Sequence, residues 1–315
     1  MPEKPRWINR DSDGRLQLSA ELRDRLIGLA VLYVLFFAAF FDHARLWQPG
    51  RLLQWDSHHV AEAKSWLNGR ADLPARIWDT AVIDGRFFNV FPPMMTFVSA
   101  VCLLASPEGV PFTVLSALFV LPIPGLAYLL FLRRCATVVG AVVMACIFVL
   151  GTSEFLIIWR VTQSAKACQL NNAVTQLGLL IFLIDYYGRR RFWLGGMGLL
   201  VMGWARFTML AFLVPYLWGL RERAWSKGLL GGAAFCVVLL AVPAVVNTVR
   251  FGHPLEIGFQ QIYQGRQDDP ADWLARDGGK ALFSIRYVPR NLYWMNLGFP
   301  EITRHRAGWR WKPSV

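Results

Sequence analysis

The side chains best equipped for chemistry lie in one polar stretch, residues 51–93, RLLQWDSHHVAEAKSWLNGRADLPARIWDTAVIDGRFFNVFPP. It holds Asp56, His58, His59, Glu62, Lys64, Asp79, Asp84 and Arg86, in a chain that is mostly apolar on either side. Asp56 leads the candidates. It opens the segment HHVAEAKSWLNG, where it can cap a helix or serve as a general base beside a substrate hydroxyl. His58 and His59 are adjacent, point in different directions, and lack the i, i+4 spacing of a helical metal pair. The chain carries no metal motif and names no cofactor, and a divalent cation stays open. Asp79 and Asp84 read as loop caps or as a second carboxylate.

Three cations lie further along. Arg206 sits in an apolar segment, where a charge is expensive to bury and is read first as functional. Its planar fork suits a phosphate. Snorkelling to an interface and pairing with Glu154 are the other readings. Arg160 and Lys166 occupy a short turn, where they either add to that anion site or form a solvated rim.

The elements that must position these groups follow from composition. Hydrophobic residues make up 55% of the chain and charged residues 17%, against about 25% charge in a soluble domain. The 14 Trp and 22 Phe suit aromatic belts at membrane interfaces. A net charge of +12 raises nucleic acid as a partner. Here, however, the bases cluster in short runs beside apolar segments, so nucleic acid is set aside in favour of membrane lipids. The five cysteines form no CxxC pair and indicate neither a disulfide framework nor a zinc site.

Apolar segments at 26–41, 94–105, 112–132, 136–158, 173–187, 192–220 and 228–248 predict an all-α integral-membrane bundle of about 7–8 spans. The charged residues 1–25 do not read as a signal peptide. The positive-inside rule places them in the cytoplasm with Arg133-Arg134, Arg189-Arg190-Arg191 and the run Arg221, Arg223, Lys227. The chain then divides into a cytoplasmic segment 1–25, a membrane module 26–248 with an extracytoplasmic first loop 42–92, and an extracytoplasmic tail 249–315. Segment 94–105 is short: either it is re-entrant or the charge rule fails at Arg133-Arg134. Segment 192–220 is one tilted span or two short ones broken at residues 204–208. Within the first loop, Val60, Ala63, Trp66 and Leu67 predict a short amphipathic helix lying on the membrane and stopping at Asn68-Gly69. Asp84-Gly85 predicts a tight turn, and Pro92-Pro93 opens the next helix.

The order of these features resembles the GT-C superfamily of integral-membrane glycosyltransferases, whose familiar members are the protein O-mannosyltransferases and the lipid A aminoarabinose transferase. The matching elements are a first span, WDSHHVAEAKSWLNGR, DGRFFNVFPPMM opening a helix, WARFT, and RFGHPLEIGF. The resemblance covers most of residues 26–300. It implies a bacterial inner-membrane, multi-pass enzyme that moves a hexose or pentose from a polyprenyl-phosphate donor to a lipid, glycan or protein acceptor on the extracytoplasmic face. Asp56 matches the family's first-loop acid, which acts as base or substrate ligand; where several members have Asp-Glu, this chain has Asp56-Ser57. The candidate substrate-binding residues are then Arg206, Arg160, Lys166, Arg86, Asp84 and His59. Many relatives continue with further spans, so the resemblance also implies a missing C-terminal part. Two other classes stay open. A transporter or flippase would carry midplane charges and inverted repeats, and no repeat is visible. An inactive transferase-like membrane protein is the other.

Overall fold

The computed structural model describes residues 8–10, 16–40, 58–77, 79–151, 158, 167–188, 192–221, 227–258, 261–262, 301–305 and 308–312. Asp56, Glu154, Arg160 and Lys166 lie outside these residues.

Among the described residues the chain is mainly helical. Helix α1 (Ala20–Phe40) packs on α5 (Pro122–Leu132) and α6 (Val138–Gly151). Helix α2 (His58–Leu67) leads through a hairpin, β3 (Thr80–Ile83) and β4 (Arg86–Asn89), into α3 (Met94–Ala105). After α4 (Phe112–Val120) come α5 and α6, then α7 (Ala167–Tyr186) and α8 (Phe192–Ala205). A 3-10 turn (Phe207–Phe212), α9 (Leu213–Arg221) and α10 (Lys227–Phe251) complete the helical part. Two antiparallel hairpins lie near the chain ends, β1–β2 (Ile8–Arg10, Leu16–Leu18) and β5–β6 (Glu301–His305, Gly308–Lys312). The all-α expectation does not include them.

Among the described residues two helical stretches are long and apolar enough to cross a membrane: Phe112–Leu132, of 21 residues, and Leu230–Phe251, of 22. Helix α10 also leaves Val237, Val238, Leu240, Val245 and Val249 exposed, a contiguous apolar face of the kind that marks a partner or lipid surface. Helix α3 has 12 residues and rises about 18 Å, short of a hydrocarbon core of about 30 Å. The segment 192–220 is broken rather than continuous. The helix stops at Ala205, Arg206 is extended at φ −146°, and a 3-10 turn follows.

The helix pair α7–α8 meets closely because both sides are glycine at the crossing. A Cβ on Gly178 would lie 2.8 Å from the Gly198 carbonyl oxygen, and one on Gly198 would lie 2.6 Å from the Phe182 nitrogen. Close backbone approach through small residues is how helices associate where water supplies no driving force.

Helix α10 carries an internal proline, Pro243. Proline has no N–H to give to the carbonyl four residues back, which here is Leu239. The Trp204 indole of α8 donates to that carbonyl at 3.1 Å.

Arg25, Arg133 and Arg134 collect at one end. The Tyr128 hydroxyl donates to the Arg25 carbonyl at 2.9 Å. Arg133 donates to the Ile184 carbonyl, and the Arg134 guanidinium lies 4.1 Å over the Tyr187 ring. Arg25, Arg133, Arg134 and the end of α7 therefore share one end of the bundle. At the other end of α7, Asn171 donates to the Ala205 carbonyl at 2.6 Å. The 20 residues of α7 span about 30 Å between the two ends.

Candidate functional site

At the end away from Arg25, Arg133 and Arg134, two turns hold the polar elements in place. Helix α2 ends where the sequence predicts. Gly69 takes φ +70°, its N–H reaches the Trp66 carbonyl at 3.0 Å, and the Arg70 N–H reaches the Ser65 carbonyl at 2.8 Å. This is the paired 5→2 and 6→1 closure that satisfies a helix's last carbonyls. The β3–β4 hairpin closes on Asp84-Gly85, with φ 49° and 74° and Ile83 opposite Arg86. Two positive φ values at a two-residue loop match the right-handed twist of the strands.

Helix α2 does not lie on a surface with its apolar side outward. His58, His59, Val60, Ala61, Glu62, Ala63 and Ser65 are all buried, because α3 and β4 pack over it. Its one buried carboxylate, Glu62, is satisfied by protein. The Glu62 carboxylate meets the Arg250 guanidinium as a fork: Nε donates to Oε1 and Nη2 to Oε2, both at 2.6 Å. The two side chains are 0% and 1% exposed. Arg250 Nη1 donates to the Phe91 carbonyl at 2.9 Å. Glu62 Oε2 also accepts from Asn89 Nδ2 at 2.7 Å and from Thr96 Oγ1 at 2.8 Å. Asn89 Oδ1 in turn accepts the Phe91 N–H at 3.0 Å. A buried ion pair persists only with such geometry and with its remaining lone pairs filled. This clamp joins four elements, α2, β4, the start of α3 and the end of α10, with Glu62 and Arg250 188 positions apart.

His59 extends the network. Its Nδ1 lies 3.0 Å from Thr96 Oγ1, and Nε2 is buried with no hydrogen-bond partner among the described residues. The Phe91 ring stands 5.0 Å from the His58 ring and 6.0 Å from that of His59. Burial, then the charges of Arg250 and His58, push the His59 imidazole down to about 3.

That shift has a sign. Between pH 6.5 and about 3 the unfolded chain carries a proton on His59 that the folded chain does not. Stability is therefore full above pH 6.5 and falls as pH is lowered through that window, at up to about 1.4 kcal/mol per pH unit. Arg250, His58 and, through Thr96, Glu62 face this imidazole. Unfolding midpoints at pH 7.5 and pH 5 should differ more in the wild type than in His59→Asn. Equal differences would show that His59 is not the group responsible.

Beside the clamp, a groove of about 500 Å³ runs between the end of α2 and α10. Its long wall is Ala241, Val242, Val245, Val246 and Val249 of α10, faced by Trp66 and Phe97. The Trp66 ring packs at a tilt against Phe97 at 5.3 Å, and Phe97 against Trp204 at 5.7 Å. Gly69, Arg70 and Ala71 form the polar rim. Arg70 is exposed and donates to Asp72 at 2.8 Å. Arg250 spans clamp and groove, with its guanidinium 5.9 Å from the Trp66 ring centre.

The residues expected from sequence fare unevenly. His59 is in the clamp. Arg206 stands at the same end, two residues after Trp204, but it is exposed and donates through Nε to Asn172 Oδ1 at 3.0 Å. Asp84 and Arg86 are exposed at the hairpin tip, and the structure does not bring them to His59. Asp84 serves the turn's backbone. Asp79 also has positive φ, at 56°. Glu62 and Arg250, the centre of the cluster, are not among the residues that the sequence pattern selects. A signal exists for Glu62, which falls between His59 and Trp66 on the face that Ala63 marks as apolar. For Arg250 the visible signals are its place at the end of an apolar helix and at the head of RFGHPLEIGF, and neither points to Glu62. Parts of the first loop and of the tail are in contact: the Phe88 and Phe251 rings are 6.3 Å apart, and Ile262 packs with Ala81 and Val90. Compared with known proteins, the chain matches no family model, no curated protein and no solved structure.

Proposed function

We propose that this chain is a polytopic membrane glycosyltransferase that takes its sugar from a polyprenyl-phosphate donor on the extracytoplasmic face. The observation that carries the reading is the groove. One wall is the apolar face of a helix long enough to cross a membrane, and the mouth holds Trp66 and Arg70. A ligand that keeps a hydrocarbon chain in the bilayer and an anion at its surface needs those parts in that order. Tryptophan suits the headgroup level, and the fork of Arg70, which Asp72 holds through Nε and Nη2, would exchange that carboxylate for the phosphate. Arg25, Arg133 and Arg134 at the far end of the bundle support placing this end outside the cytoplasm. Asp56, two residues before α2, is the catalytic carboxylate in this reading. Arg206, Arg160 and Lys166 are further candidates for the donor phosphate. Helix α3 enters from the outer side without crossing alone.

The test is to fill the groove. Val245 is 62% exposed, so Val245→Trp adds bulk to the groove without entering the core. A photoreactive prenyl-phosphate probe should crosslink to α10 in the wild type, and labelling should fall about tenfold in Val245→Trp, equivalent to about 1.4 kcal/mol. Equal labelling of the two proteins, or labelling elsewhere, overturns the reading.

A further inference from the structure

Two backbone locks hold the rim of the groove. The stop of α2 fixes Arg70, whose N–H reaches the Ser65 carbonyl at 2.8 Å. Three residues on, the Leu73 N–H donates to the Phe87 carbonyl at 2.7 Å, a single bridge from the rim to β4, and Leu73 is buried. Asp72 is thereby held between Arg70 and the residue that opens β4, Arg86. Its carboxylate takes two donors of Arg70: Nε to Oδ1 at 3.3 Å and Nη2 to Oδ2 at 2.8 Å. The hydrogen bond from Arg70, then the charges of Arg70 and Arg86, hold the Asp72 carboxyl below the usual carboxylate range. Arg86 is exposed, and among the described residues it forms no ion pair. Together the three side chains bring two cations and one acid to the rim.

A carboxylate on an arginine fork presents the same pair of oxygens as a phosphate. Asp72 therefore stands where a ligand's phosphate would dock on Arg70. An ion pair at the surface, with Arg70 55% exposed, is worth little, so a phosphate can take Arg70 and leave Asp72 to Arg86. The carboxylate does not leave the rim, because Leu73 pins the chain beside it. A bound phosphate thus sits near a fixed negative charge, and the repulsion scales with the phosphate's own charge. Sugar transfer changes that charge. The bond from the sugar's C1 to the phosphate oxygen breaks, and the oxygen keeps the electron pair. C1 takes the acceptor's oxygen, whose proton goes to the base. A phosphodiester with one negative charge becomes a prenyl phosphate with close to two at neutral pH.

We propose that Asp72 makes the groove mouth selective for singly charged phosphate. Its carboxylate, passed from Arg70 to Arg86 on binding, admits the phosphodiester donor and repels the doubly charged carrier left after transfer. The assignment rests on the transferase reading and adds to it a charge filter that favours donor over spent carrier.

The test uses the full chain in nanodiscs of neutral lipid at low ionic strength, where exposed charges are least screened. The probes are two photoreactive short prenyl chains, one ending in phosphate and the other in its methyl phosphodiester. They differ in charge, and neither carries a sugar. Affinity is read by crosslinking in the groove at pH 8, where the prenyl phosphate has two charges, and at pH 5, where it keeps mostly one. Asp72→Asn should raise the affinity for both probes by freeing Arg70, but twice the ligand charge feels twice the repulsion. The preference for the diester at pH 8 should therefore fall about fivefold, the effect of one unit charge about 4 Å away in water, and by far less at pH 5. Asp72→Glu keeps the charge and should keep the preference. If both probes crosslink but Asp72→Asn leaves the preference at pH 8 as it was, or changes it equally at both pH values, the filter is wrong and the transferase reading stands. If neither probe labels the groove, the transferase reading fails and takes the filter with it.

Discussion

Glu62→Ala should destabilise the protein by about 3–5 kcal/mol, the cost of leaving a buried charge without its partner. The guanidinium of Arg250 would keep only the Phe91 carbonyl, and Asn89 and Thr96 would each lose an acceptor. The mirror change, Arg250→Ala, strands an acid instead and should cost a similar amount. Arg250→Lys should also be severe, since an ammonium cannot reproduce two parallel bonds to one carboxylate. The double change Glu62→Met with Arg250→Met separates charge from packing. Replacing a whole buried pair by apolar side chains is often neutral or stabilising, so the double variant should recover most of the loss. Thermal unfolding in detergent gives the magnitudes, and limited proteolysis at residues 68–79 reports whether α2 has come away. A single variant as stable as wild type would mean that the four elements are held by packing alone.

Asp56→Asn should lower sugar transfer by about 10²–10⁴-fold, the usual loss when a general base is removed, with little change in protein abundance. Asparagine caps a helix as well as aspartate does, so the substitution removes charge and leaves the cap. The effect is readable only if the residue's surroundings stay fixed. The clamp provides for that, because α2 begins two residues after Asp56 and is bolted through Glu62 to the end of α10. Transfer from a radiolabelled polyprenyl-phosphate sugar, at matched membrane abundance, is the measurement. Equal rates would leave Asp56 as a cap and remove it from the chemistry.

Much of the fold is legible because membrane-type helices advertise themselves by apolar length. The segments at 112–132 and 228–248 closely match helical stretches, and the Gly69 stop and the Asp84-Gly85 turn follow from local backbone rules. The break at Arg206 is one of two readings the sequence allows, decided by tertiary contact with Asn172. What sequence hides is pairing across distance. Glu62 and Arg250 are 188 positions apart, and neither has a local pattern that names the other. The polar residues of α2 suggest solvent and hence a surface-lying helix. In the fold, those same residues are buried by finding one another.

The bond from Trp204 to the carbonyl that Pro243 leaves open bears on how the chain is made. Helix α10 emerges from the ribosome after α8, and until the two dock it carries a polar gap in its middle. In hydrocarbon such a gap is costly, and the tryptophan that closes it lies on a helix synthesised earlier. In the proposed membrane reading, insertion of α10 is thereby coupled to the prior arrival of α8. A nascent chain with Trp204→Phe would hand α10 to the bilayer uncapped, and the membrane's own insertion machinery would detect the fault before any substrate does.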